Sequence, residues 1–142
     1  MNIQSGVNYL PFTLNESITI DSPEFVLILV HDDTKKKYAC KLINDISEYT
    51  ERYNQYLVTV KTSANPLLSE LNLETYGFHK YYVYEMADAD SFDYNNVDDL
   101  VLSELEGEIE QGKIKYLKPS TTTPAFKENL TSIKSYVSWE DR

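Results

Sequence analysis

The sequence predicts an all-β domain, an antiparallel sandwich with one short helix and an extended C-terminal arm. Three observations carry this reading. Runs of β-branched and aromatic residues recur roughly every 10–20 positions with turn residues between them, the spacing of a sandwich or barrel. Twelve of the 142 residues are Tyr, a residue whose ring buries area while its hydroxyl stays wet, which suits sheets and contact surfaces. Only one stretch, Val97–Glu110, carries a helix-like apolar stripe.

The chain is arranged around Tyr76–Met86, a run of aromatic and β-branched residues with no Pro that reads as a long strand. With a period of two, Tyr76, Phe78, Tyr82, Tyr84 and Met86 share one face, and His79, Tyr81, Val83 and Glu85 share the other. Neither face is wholly polar, so the strand belongs in the middle of a sheet.

Residues 1–23 are expected to be an extended segment ending in a strand at Ile18-Thr19-Ile20, broken at Asp21-Ser22-Pro23. Phe25–Val30 is continuously apolar and too short for a helix, which reads as a strand covered on both faces. His31–Lys37 is a solvated turn, and Tyr38–Ile43 returns as the second strand of a hairpin. Residues 44–54 form a polar, aromatic connection. Gln55–Lys61 alternates cleanly, with Tyr56, Val58 and Val60 on one face. After a turn at Thr62–Pro66, Leu67–Leu73 holds a further short strand. Beyond the central strand come a polar loop, Ala87–Asn96, and then the helix expected over Val97–Glu110. Leu100, Val101, Leu105 and Ile109 form its stripe, Asp98 and Asp99 suit its positive end, and Gly107 opposes it. Gly112–Lys118 is the last strand. Ser120–Pro124 is a stiff linker, and Ala125–Arg142 has too many apolar groups for a free tail, so it lies back on the domain or docks on a neighbour. The chain thus divides into an N-terminal segment and first strand (1–23), a β-sandwich (24–118) and an arm (119–142).

The single Cys40 leaves no internal disulfide, so folding needs no oxidising compartment. No apolar run approaches a membrane span, and the opening residues lack the features of a signal peptide. The expected place of synthesis and folding is a cytoplasm. The net charge of −10 is concentrated: residues 85–110 hold ten acids and no Lys or Arg. Such a chain is repelled by phosphate backbones, which argues against nucleic acid as a partner. The acidic stretch is a solvated loop and helix or a docking face for a basic patch.

No constellation names a chemistry. Asp88, Asp90, Asp93 and Asp99 suggest a calcium loop, but Phe92 and Asp93 stand where an EF-hand needs a ligand and a glycine; a looser cation site stays open. No local pattern selects two of the 23 acids as a hydrolytic pair. His31 and His79 have no second His or Cys at ligand spacing and read as structural, and Cys40 reads as a small buried hydrophobe. No phosphate loop or nucleophile elbow is present. The expectation is a protein that is not an enzyme, with no cofactor and no metal.

Three stretches together carry a resemblance. Arg52–Val60 leads into a strand, Gly77–Glu85 follows, and then comes Leu105-Glu106-Gly107 or Glu110–Ile114, all after the Asp33-Thr34-Lys35 hairpin. This order resembles small β-sandwich virion proteins of tailed bacteriophages, particularly crAss-like phages of gut Bacteroidetes and related marine phages. The resemblance spans roughly residues 24–118. The acidic insert and the tail have no counterpart matched residue by residue, and no functional residue is carried over. It implies an immunoglobulin-like antiparallel sandwich and a non-enzymatic structural role, foremost as an auxiliary (decoration) protein on the capsid. Its expected partners are other virion proteins, foremost the major capsid protein, in a multi-copy symmetric assembly without nucleic acid or membrane. A neck or tail ring or fibre adaptor is the alternative within that class. A glycan- or cell-surface-binding module and an enzyme acting on polysaccharide are the alternatives outside it. The residues expected to bind partners are Phe126, Leu130, Ile133, Tyr136 and Trp139, since aromatic and large apolar side chains anchor interfaces.

Overall fold

The computed structural model describes residues 1–43, 45–48 and 53–118. The all-β expectation holds. Eight strands form among the described residues: β1 (Asn2–Ile3), β2 (Gly6–Phe12), β3 (Glu24–His31), β4 (Lys37–Leu42), β5 (Asn54–Val60), β6 (Glu70–Leu71), β7 (Gly77–Met86) and β8 (Glu108–Tyr116). A curled five-stranded sheet has the order β1-β8-β7-β3-β4, and a three-stranded sheet has the order β2-β5-β6. Their inner faces share one core, drawn from all eight of these strands.

The continuous apolar run of β3 explains its central place. Leu27 and Leu29 point into the shared core, Val26 and Ile28 into a second cluster on the outer face, and all four are fully buried. Burial of side chains of this size is worth roughly 1.5–3 kcal/mol each. A strand with two dry faces needs a roof on the outer one. Here the roof is the chain between β7 and β8, whose short 3-10 turns at Ala89–Ser91, Tyr94–Asp99 and Leu102–Glu104 bring Ala89, Val97, Leu100 and Leu105 onto Val26, Ile28 and Tyr84.

This roof replaces the helix expected over 97–110. Two physical causes act against that helix. The stretch stacks acids at helical spacing with no base to offset them, so Glu104 and Glu108, or Glu106 and Glu110, would repel each other one turn apart. Gly107 sits at φ +100°, its carbonyl accepts the Glu85 amide at 2.8 Å, and a Cβ there would stand 2.5 Å from the Glu85 carbonyl oxygen. The chain therefore turns at Gly107 and starts β8 at Glu108, earlier than the expected Gly112.

Other boundaries also move. No strand forms at Ile18-Thr19-Ile20: the amides of Thr19 and Ile20 donate to the Glu85 carboxylate rather than to a ladder. The N-terminal segment instead forms β1 and β2, the latter paired antiparallel with β5 from Gly6↔Val60 to Phe12↔Asn54. Of the strand expected over Leu67–Leu73, Pro66–Leu68 is a 3-10 turn capped by the Asn65 side chain, and only Glu70–Leu71 pairs, parallel to β5. The segment before β3 belongs to both sheets, because β1 runs parallel to β8 and the chain then crosses at Gly6 (φ +95°) into β2.

Candidate functional site

Phe126, Leu130, Ile133, Tyr136 and Trp139, the residues expected to bind partners, lie outside the described residues. So do Arg52 and the linker Ser120–Pro124. The described chain offers four places where chemistry or recognition could reside.

The first is a histidine pair that sequence spacing conceals. His31 ends β3, His79 sits near the start of β7, and the antiparallel register makes them direct partners, with ring centroids 4.8 Å apart and edge to face. Nδ1 of His31 accepts amide hydrogens from Asp33 and Thr34, and Nε2 stands 2.9 Å from the Tyr76 carbonyl, to which it donates in the neutral tautomer. His79 is fully buried. Its Nδ1 donates to the Gly77 carbonyl at 3.1 Å, which leaves Nε2 an acceptor with no partner among the described residues. Burial pushes the His79 pKa down, and the nearby His31 adds to that, outweighing Asp32 and the Gly77 bond. His31 holds the turn at Asp33–Thr34 in place, and His79 packs against its ring. Among the described residues no group of three or more His, Cys, Asp or Glu is placed to hold a metal ion.

The second is a set of carboxylates that staple loops. Glu85 is buried and accepts from the amide of Thr19 at 2.9 Å, from its hydroxyl, and from the Ile20 amide. Burial would raise its pKa, but these donors outweigh it and hold the carboxyl below its usual value. Asp45 behaves alike: burial opposes ionisation, and the Gln55 and Ser47 amides with the Asn54 side chain prevail. Of the aspartates of the suspected calcium loop, Asp88 accepts from the Asp90 amide, Asp93 accepts from the Asn95 amide and the Asn96 side chain, and Asp90 pairs with Lys41 at 2.8 Å. Cys40, fully buried on β4, has its thiol pKa pushed well up by desolvation.

The third is an open groove of about 340 Å³ along the edge of β4, between Lys36–Ala39, the Ala64–Glu74 turn and the Tyr94–Asp98 turn. Its cations are already engaged: Lys36 pairs with Glu74 at 2.6 Å, and Lys37 donates to the Asp98 carbonyl at 3.2 Å. That arrangement ties edge strand to flanking loops.

The fourth is the outer surface of the two sheets. On the small sheet, Val7 (57% exposed) and Tyr9 (59% exposed) stand beside Pro11, opposite Thr59, Leu57 and Gln55, so this face bears no charge across both strands. The Tyr116 hydroxyl lies 3.3 Å from Ser5 Oγ, which brings the end of β8 next to the start of β2. On the large sheet, Phe78, Lys80, Lys113 and Lys115 lie exposed at one end. No helix among the described residues is long and apolar enough to cross a membrane.

No protein-family model matches the chain, and no curated protein or solved structure matches it.

Proposed function

We propose that this chain is a non-enzymatic structural protein of a tailed-bacteriophage virion, an auxiliary protein that binds the outside of the capsid. The observation that carries the reading is the uncharged outer face of β2 and β5. A domain with a net charge of −10 that keeps Val7, Tyr9, Pro11 and Leu57 together on one sheet face has a surface suited to a protein neighbour. A rigid, disulfide-independent body joined to an arm ordered on its partner is what a many-copy shell component requires. The passage of the N-terminal segment from the large sheet to the small one at Gly6 supports the immunoglobulin-like description of the sandwich.

Deletion of residues 120–142 tests the arm. The truncated protein is expected to keep its melting transition and to lose incorporation into particles. Normal loading of the truncated protein would refute the role given to Phe126, Leu130, Ile133, Tyr136 and Trp139.

A further inference from the structure

The outer face of the large sheet is divided in two. Its Tyr84 end is covered by the roof between β7 and β8, and its Phe78 end is bare. At the bare end the register sets Phe78 opposite Lys115 and Lys80 opposite Lys113. Phe78 is 52% exposed, with Nζ of Lys115 at 5.2 Å and of Lys113 at 5.9 Å from its ring centroid. Like charges directly opposite on a sheet repel, so a register that sets two lysines face to face costs stability unless something offsets it. Lys113 is relieved by Asp32 at 2.9 Å, whereas Lys80 and Lys115 have no ion pair among the described residues. The result is a compact basic strip around an exposed aromatic ring, on a chain that is otherwise strongly acidic. An aromatic centre with a charged rim is the anatomy of a recognition surface.

The roof at the other end of the same face supplies the complementary chemistry. Asp99, Glu104 and Glu106 are exposed there and have no ion pair among the described residues. We propose that the Phe78–Lys80–Lys113–Lys115 strip of one copy docks on the acidic roof of a second copy. The contact is head-to-tail, closing into a ring or extending as a row according to its rotation. A polyanion such as nucleic acid is the weaker fit, because the net charge of −10 repels it at long range. The inference does not rest on the virion reading, since it concerns how the purified protein associates with itself.

The test is sedimentation of the full-length chain over a range of concentrations and salt, with two charge-reversed variants, Lys80→Glu with Lys115→Glu, and Glu104→Lys with Glu106→Lys. Melting of each variant close to wild type shows that the fold is kept. Wild-type association is expected to weaken about tenfold or more between about 50 mM and about 500 mM salt, because it is carried by exposed charges. Each variant alone is expected to associate at least about tenfold more weakly, and an equimolar mixture of the two to recover the association. Wild-type protein that stays monomeric at low salt, or variants that associate as wild type does, overturns the proposal. Association that strengthens with salt overturns it in favour of an apolar contact. Monomeric wild type that is retained by single-stranded DNA or anionic vesicles, with retention lost in the lysine variant, overturns it in favour of that polyanion.

Discussion

The ring of Tyr81 lies across the bare backbone of Gly112, its cross-strand partner on β8, so closely that a Cβ at Gly112 would stand 2.7 Å from the ring. The phenol then continues along β8 to the Glu110 carboxylate, donating at 2.7 Å. The other oxygen of Glu110 accepts the Thr13 amide at 2.8 Å. One glycine thus lets an inward-facing tyrosine lie flat and join the large sheet to the segment that leaves the small one.

Gly112→Ala is therefore expected to destabilise the domain by about 1–3 kcal/mol, the usual cost of forcing a core side chain aside. Tyr81→Leu in the same background is expected to recover part of that loss, so a double-mutant cycle in chemical denaturation reads a coupling between the positions. Additive losses would separate the two residues.

Gly107 tests the reason for the missing helix. Gly107→Ala places a Cβ against the Glu85 carbonyl at a backbone angle that side chains rarely adopt, and is expected to cost about 3 kcal/mol or more. If 97–110 were free to become helical, the same change would raise helix content and leave stability unchanged. Circular dichroism with denaturant titration distinguishes the two.

The strands were legible where one physical rule dominated. The unbroken apolar run of β3 can be satisfied only by two dry faces, and the alternation of β5 puts Tyr56, Val58 and Val60 inside as expected. Helical spacing over 97–110 misled because Leu100 and Leu105 turn onto the roof cluster while Ile109, already in β8, packs on the main core. The spacing of these residues does not separate two cores. The histidine pair, the basic strip and the Tyr81–Gly112 contact were hidden for another reason. Each joins residues from different strands, and only the register brings them together.

Acid sensitivity should come in two steps. His79 has a folded-state pKa below its unfolded value of 6.5, so unfolding takes up a proton as pH falls below about 6.5 and stability drops from there towards the folded pKa. His31, Asp32 and Tyr38 are the polar groups around it. Glu85 and Asp45 also have lowered folded pKa values. Their contribution is present above the unfolded values of 4.5 and 3.8 and is lost below them. Denaturant midpoints measured from pH 8 to pH 3 should show both steps, and His79→Leu should remove the upper one alone. An unchanged upper step in that variant would exclude His79 as its source.

Cys40 is expected to resist thiol reagents in the native protein and to react once denaturant unfolds it, since burial both shields the sulfur and disfavours the thiolate. Rapid modification under native conditions would contradict its place in the core.

The virion reading is tested most directly by immunogold labelling of intact phage particles with antibody to this protein, with mass spectrometry of disrupted particles alongside. The expected result is gold spread over the head, with the protein recovered in many copies. Gold confined to the neck or tail would move the protein to a ring or adaptor. Unlabelled particles, together with the protein's absence from the disrupted ones, would contradict the virion role.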